Sequence, residues 1–155
     1  MKGSSTKHSS VDMPMDKPTA VKLADYYHDG QMYGEHTYFT HLRDVVKLVK
    51  QRGGGEDLQI IAYLHDIIED TACTLKFLRE QGFSDNVVDA VSAITKWEDT
   101  FDYLSVVKSN TLALEVKKCD TFCNLTQSIQ DGNDRRITKY IKQYMELHDD
   151  LQQEQ

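Results

Sequence analysis

The sequence predicts an all-α fold built as a single domain. Apolar residues recur at intervals of three and four along most of the chain, which is the spacing of helices with one buried face. Short breaks between these runs contain glycine, proline or residues that cap helices, and no segment shows convincingly the apolar-polar alternation of a half-buried strand. A chain of 155 residues can bury a sizeable core.

The first third of the chain predicts an arm followed by two helices. Residues 1–17 are polar and lack periodicity, so we expect a flexible N-terminal arm and a domain that spans residues 18–151. Pro18 suits the start of a helix over residues 19–28. After a polar loop that contains glycine, a second helix is expected over residues 38–52, where three consecutive glycines end it.

The remaining two thirds predict further helices joined by short turns. Ser84 and Asn110 stand where N-caps would begin two of them, Gly82 ends another, and residues 131–134 have the composition of a turn. In order, the expected helices are one around His65 that ends near Thr71, and then residues 74–81, 85–95, 101–109, 110–130 and 135–151.

The composition is that of an acidic protein without an export signal. The formal net charge of −7 disfavours a surface that binds DNA or RNA. No apolar run reaches the length of a membrane span, and three cysteines, an odd number, suit reduced thiols. We therefore expect a cytoplasmic protein without nucleic-acid or membrane partners. A bound divalent ion would still allow an anionic small substrate.

The stretch with the most chemistry is Leu64-His65-Asp66-Ile67-Ile68-Glu69-Asp70-Thr71. On a continuous helix its apolar residues fall on one arc, and His65, Asp66, Glu69 and Asp70 fall on the opposite arc. Between Arg52 and Lys76 the chain contains five carboxylates and no lysine or arginine. Crowded carboxylates repel one another unless a cation or a shared proton intervenes. The segment therefore indicates either a metal site or the acidic outer face of an ordinary amphipathic helix.

Two other regions offer ligands of the same kinds. His41 lies near the start of the second helix, and Asp120 shares a helix face with Asn124 and Lys117. Each of these residues taken alone is more often structural or solvated than functional. Together with His65 and Asp66, His41 and Asp120 make a mixed nitrogen and oxygen site, which suits manganese, iron, cobalt or zinc better than magnesium.

This order of residues resembles the H…HD…D pattern of the HD-domain phosphohydrolases. The wider match resembles the (p)ppGpp hydrolase domain of the RelA/SpoT family and its small single-domain relatives, over about residues 19–147. The resemblance implies an HD-domain helical bundle of about seven to eight helices with Mn²⁺ bound by His41, His65, Asp66 and Asp120. The matching motifs are His28-Asp29-Gly30-Gln31, Leu64-His65-Asp66-Ile67-Ile68-Glu69-Asp70-Thr71 and Val116-Lys117-Lys118-Cys119-Asp120-Thr121-Phe122-Cys123-Asn124-Leu125.

The chain departs from the alarmone hydrolases at two places. Met32-Tyr33 replaces the basic pair that contacts the guanine base in the family, and Thr126 replaces an arginine. Neither departure affects the metal ligands or the acid pair. Both weaken the case for guanosine tetraphosphate itself, so the substrate base is left open.

The expected activity is metal-dependent hydrolysis of a nucleotide phosphate or pyrophosphate ester, most like that of a (p)ppGpp 3'-pyrophosphohydrolase. Two acids, Glu69 and Asp70, are expected to orient a water and transfer a proton. The alternatives are a nucleoside monophosphatase and a catalytically silent nucleotide-binding protein, and a homo-oligomer is left open. The expected substrate-binding residues are Asn124, Lys117, Tyr38 and Lys96.

Overall fold

The computed structural model describes residues 17–149, so the arm expected over residues 1–17 lies outside the described residues except for Lys17, and so do residues 150 and 151. The described part contains nine helices and one small hairpin. In chain order these elements are α1 (Lys17–Tyr27), β1 (Met32–Tyr33), β2 (His36–Thr37), α2 (Tyr38–Gln51), α3 (Glu56–Leu64), α4 (Ile67–Asp70), α5 (Leu75–Glu80), α6 (Asp85–Ile94), α7 (Tyr103–Lys108), α8 (Thr111–Gln130) and α9 (Asp134–Leu147).

Side-chain caps set the beginnings of several helices. Ser84 Oγ accepts the N–H of Val87 at 3.3 Å, and Asn110 Oδ1 accepts the N–H of Ala113 at 2.9 Å. Each bond satisfies one of the backbone donors that a helix N-terminus leaves unpaired. Both caps confirm the helix starts expected from the sequence.

The core forms around the long helix α8, which packs against α2, α3, α6, α7 and α9. Fully buried aliphatic side chains from α3, α4, α6 and α8 meet there, each stabilising the fold by roughly 1.5–3 kcal/mol. They include Ile61, Leu64, Ile67, Val88 and Val116. None of the helices in residues 17–149 has both the length and the apolar character needed to cross a bilayer.

A hairpin occupies the loop between α1 and α2, where the sequence predicts no strand. Met32 pairs with Thr37 and Tyr33 pairs with His36 in antiparallel register, and Gly34 supplies the positive φ of 60° in the turn. Each strand has only two residues, which is too short to show an alternating pattern. The hairpin presents Tyr33 to α2 and α8, as the site geometry shows.

The helix expected to run through His65 is interrupted, so the expectation of one continuous helix is wrong. The helix α3 ends at Leu64, Asp66 leaves helical geometry with φ −108° and ψ 4°, and α4 is a single turn. His65 is therefore 1% exposed and does not lie on an outer acidic face. Tertiary contacts of His65 and Asp66 outweigh the local helical preference, which is a weak determinant of structure.

Candidate metal centre

Three side chains from different parts of the chain converge in the core. His41 comes from α2, His65 follows α3, and Asp120 lies in the middle of α8. All three are buried, and one ligand atom from each lies within 4.8 Å of the others. His41 reaches this point because it shares a buried face of α2 with Leu42 and Val45.

The distances define a compact group of two imidazoles and two carboxylates. Oδ1 of Asp120 lies 2.9 Å from His41 Nε2 and 3.4 Å from His65 Nε2. Oδ2 of Asp66 lies 3.1 Å from His65 Nε2. The structure thus brings His41, His65 and Asp120 together, with Asp66 beside His65.

The orientation of His65 fits a cation between these groups. His65 Nδ1 lies 2.7 Å from the carbonyl oxygen of Ala62 and donates to it, which directs Nε2 toward the two carboxylates. Within the described part of the chain, His65 Nε2 has no hydrogen-bond partner, because neither carboxylate oxygen is aligned with it. A buried ring nitrogen that faces two carboxylates suits a site that holds a cation better than an uncharged core.

The electrostatics of the group favour positive charge. Burial by itself lowers the pKa of His65, but the Asp66 and Asp120 carboxylates outweigh it and hold the pKa well above 6.5. Burial by itself raises the pKa of Asp120, yet Lys117 and His65 bring it well below 3.8. The two shifts have the same meaning: this buried pocket stabilises an added cation.

Asp120 is held by further donors on its own helix. Lys117 Nζ donates to Oδ2 at 3.2 Å, and Asn124 Nδ2 donates to Oδ1 at 3.2 Å. In turn, Asn124 Oδ1 accepts the hydroxyl of Tyr33 at 2.6 Å. The Tyr33 ring stacks on His41 with centroids 4.3 Å apart and planes 14° apart, so the hairpin covers one side of the group.

The acid pair Glu69 and Asp70 lies on α4 and is accessible to solvent. Glu69 Oε1 accepts the backbone N–H of Lys96 at 2.8 Å, and Asp70 Oδ2 accepts Gln31 Nε2 at 3.1 Å. Partial burial and the neighbouring Asp66 carboxylate raise the pKa of both acids. Raised pKa values bring carboxyl groups closer to the range in which they exchange protons at neutral pH.

The side chains expected to bind substrate surround Asp66 and Asp120. The Tyr38 hydroxyl donates to Asp66 Oδ2, and Lys117 is largely buried against Asp120. Lys96 is exposed at the rim of the acid pair. Direct contact of these residues and of Asn124 with a substrate stays a prediction.

Tyr103 is a member of this neighbourhood that the sequence did not indicate. Its ring centroid lies 5.5 Å from Lys117 Nζ and 6.0 Å from Lys96 Nζ, and its hydroxyl donates to the carbonyl of Ile94. A tyrosine one residue after an Asp N-cap looks like an ordinary packing residue. Its relation to both lysines appears only when α7 is folded against α6 and α8.

Comparisons with known proteins identify the fold. No protein-family model matches the chain, and neither does any curated protein. The chain is similar to the solved structure of a metazoan ortholog of SpoT that hydrolyses ppGpp and plays a role in starvation responses. The TM-score is 0.70 at 20% sequence identity, over 84% of this chain and 83% of the other. The chain therefore has the fold of that SpoT ortholog, which confirms the all-α fold expected from its sequence.

Proposed function

We propose that this protein is a metal-dependent phosphohydrolase that acts on a nucleotide phosphate or pyrophosphate ester, most like a (p)ppGpp 3'-pyrophosphohydrolase. The observation on which the proposal depends is the buried convergence of His41, His65 and Asp120, with His65 Nε2 facing two carboxylates. The shared fold with a protein that hydrolyses ppGpp supports the same conclusion.

The residues that would hold the metal are His41, His65, Asp66 and Asp120. Two imidazole nitrogens with two carboxylates suit a transition metal, and we propose Mn²⁺. When bound, such an ion supplies Lewis acidity toward a phosphoryl oxygen and lowers the pKa of a coordinated water.

Glu69 and Asp70 are the proposed proton-transfer residues. Lys96 N–H engages only Oε1 of Glu69, and Gln31 engages Oδ2 of Asp70, so each acid keeps an oxygen available. One acid can accept a proton from the attacking water while the other returns a proton to the leaving oxygen. Positioned groups of this kind contribute about 10²–10⁴ in rate.

Charges around the acids suit an anionic substrate. Lys117 offsets the buried Asp120 carboxylate, Lys96 offers an ammonium at the rim, and Asn124 can exchange its bond with Tyr33 for one to a ribose or phosphate oxygen. The Tyr38 hydroxyl donates a hydrogen bond to Asp66, so the proposed contact of Tyr38 with the substrate would use its ring.

The surroundings of the protein are also proposed. Cys73, Cys119 and Cys123 are all free thiols in the described residues, which suits a reducing compartment, and we propose the cytoplasm. The net charge of −7 supports a small nucleotide partner over DNA or RNA. A homo-oligomer is compatible with these features.

A hydrolysis panel tests the function. Purified protein is incubated with ppGpp, pppGpp and mononucleotides, with and without Mn²⁺, and products are separated by anion exchange. We expect Mn²⁺-dependent release of pyrophosphate, reduced about a hundredfold or more in His65→Ala and Glu69→Gln. Glu80→Gln is the matched control, because Glu80 is exposed on α5 and pairs with the exposed Lys76 at 3.9 Å.

The other outcomes identify the alternatives. Release of inorganic phosphate from mononucleotides alone would favour a nucleoside monophosphatase. Tight binding with all nucleotides recovered intact would favour the silent binding protein. Turnover that survives both His65→Ala and Glu69→Gln would contradict the proposed site.

A further inference from the structure

We propose that His28 and Gln31 are positioning residues that orient the Asp70 carboxylate through two linked hydrogen bonds, in which His28 donates to Gln31 and Gln31 donates to Asp70. The inference rests on the proposed function, because it assigns these two residues a role through Asp70. Neither residue is proposed to touch the substrate. Together they would make the loop between α1 and α2 a determinant of the rate.

The chain of bonds has one consistent direction. Gln31 Nε2 donates to Asp70 Oδ2 at 3.1 Å. The other end of the same amide, Oε1, lies 2.7 Å from His28 Nδ1. Since an amide oxygen only accepts, His28 Nδ1 must carry a hydrogen for this arrangement to hold. A hydrogen on His28 Nδ1 and the accepting carboxylate of Asp70 therefore select the same orientation of the Gln31 amide.

The burial of His28 makes this selection specific. The side chain is 3% exposed, and His28 Nε2 has no hydrogen-bond partner among residues 17–149. The ring packs on Tyr38, with centroids 4.9 Å apart. A buried nitrogen without a hydrogen-bond partner lowers the stability of the fold. The bond between Nδ1 and Gln31 is therefore the interaction that a histidine provides at this position in the described structure.

The backbone holds the two residues in a rigid frame. The N–H of Gln31 donates to the carbonyl of His28 at 2.9 Å, and the carbonyl of Gln31 accepts the N–H of Tyr38 at 2.8 Å. Gly30, with φ 83°, permits the tight turn between them. The Gln31 side chain thus starts from a fixed point, and only its amide orientation needs selection.

Asp70 needs such a partner because of its place in the chain. It ends the single turn α4, and the next residue, Thr71, is already extended. The neighbouring Glu69 is anchored by a backbone N–H, whereas Asp70 receives its hydrogen bond from the Gln31 side chain. Loss of that donor would leave the carboxylate free to rotate away from a productive position.

Four variants separate positioning from general stability. Gln31→Met keeps the length of the side chain but removes both ends of the amide. His28→Asn keeps a donor near the place of Nδ1, while His28→Leu removes it. Gln81→Met, at the end of α5, is the matched control for replacing a glutamine.

We expect Gln31→Met to lower kcat about tenfold, because it removes one hydrogen bond to a charged group. The KM and the Mn²⁺ concentration for half activation should change by no more than about twofold. His28→Leu should show the same loss, and the double variant with Gln31→Met should lose little more, because both act through one chain. His28→Asn should keep most of the activity.

The contrary results are equally specific. An unchanged kcat in folded Gln31→Met would overturn the proposal, and so would equal losses in His28→Asn and His28→Leu. If His28→Leu does not fold, as melting by circular dichroism would show, the comparison of Gln31→Met with Gln81→Met still decides.

A measurement without activity separates this inference from the proposed function. At about pH 8, where imidazole is ordinarily neutral, ¹⁵N NMR of the wild-type protein should show His28 protonated at Nδ1 with the lone pair on Nε2. The side-chain amide hydrogens of Gln31 should exchange slowly and lose that protection in Asp70→Ala. The opposite tautomer would overturn the inference whether or not the protein hydrolyses nucleotides, whereas absent turnover with the expected tautomer would count against the proposed function alone.

Discussion

At the scale of single residues, the chemistry of the candidate site depends on how each carboxylate is held. Asp120 receives hydrogen bonds from Lys117 and Asn124, and its pKa is well below 3.8. Glu69 and Asp70 lie closer to solvent with fewer donors, and their pKa values are raised. The same side-chain chemistry is thus divided into groups suited to hold a cation and groups suited to move a proton.

The raised pKa of Glu69 predicts the acid side of the pH profile. Partial burial is the largest cause, and the Lys96 N–H opposes it. A base must be deprotonated to act, so kcat/KM should fall as pH drops through a midpoint above 4.5. Lys96→Pro removes the N–H, so it should move this midpoint further upward.

Lys96→Ala is the matched control for that shift, because it removes the ammonium but keeps the N–H. Thr95 before Lys96 is extended with φ −75° and ψ 132°, which is the conformation that a residue before proline prefers. Profiles would be measured at saturating Mn²⁺ for both variants. A midpoint that moves equally in Lys96→Pro and Lys96→Ala would contradict the role of the N–H bond.

At the scale of elements, α8 is the helix that assembles the site. Lys117, Asp120 and Asn124 recur at three- and four-residue spacing, so all three fall on one face. The sequence predicted this face because residues three and four positions apart lie on the same side of a helix. It also predicted the helix starts at Ser84 and Asn110, because capping is local chemistry.

Other elements could not be predicted from local pattern. The break after Leu64 and the hairpin at Met32–Tyr33 arise from contacts between residues distant in sequence, such as the bond from Tyr38 to Asp66. Likewise, the resemblance to the alarmone hydrolases identified His28 and Gln31 as part of a motif but not as partners of Asp70. The periodicity of apolar residues predicts which face of a helix is buried. It does not predict which side chains that face contacts.

Within α8, the Lys117–Asp120 pair gives a prediction about stability. Removing one member of a buried pair leaves an uncompensated charge, so Lys117→Met should lower the free energy of unfolding by about 3 kcal/mol in metal-free protein. A bound Mn²⁺ would replace part of the lost positive charge, so the decrease should be smaller with metal. Urea unfolding with EDTA and with Mn²⁺ measures both values.

Lys118→Met is the control on the same helix. Lys118 pairs with the more exposed Glu115 at 3.6 Å, so its loss should cost no more than about 1 kcal/mol. Equal losses for Lys117→Met and Lys118→Met, or a Lys117→Met loss that Mn²⁺ does not reduce, would show that the pair does not compensate the site.

At the scale of the whole molecule, one core supports a site whose parts are far apart in sequence. The helices α2, α3 and α8 pack on one another, and they bring together His41 of α2, His65 directly after α3 and Asp120 of α8. The group exists only when these helices are docked. Binding of a metal there must therefore stabilise the entire fold.

This coupling predicts a rise in Tm when Mn²⁺ is added. At a free Mn²⁺ concentration about a hundred times Kd, the folded state gains about 2.7 kcal/mol, provided that the unfolded chain does not bind the ion. Differential scanning fluorimetry against a Mn²⁺ series measures the shift and needs no substrate. His41→Ala and Asp120→Asn should abolish most of it, since each removes a ligand or its charge. His36→Ala is the matched control, because His36 is exposed in the hairpin strand β2 and should leave the shift intact. A rise in Tm of the same size in all three variants would place the ion elsewhere on this acidic protein, and the buried group would then need another explanation.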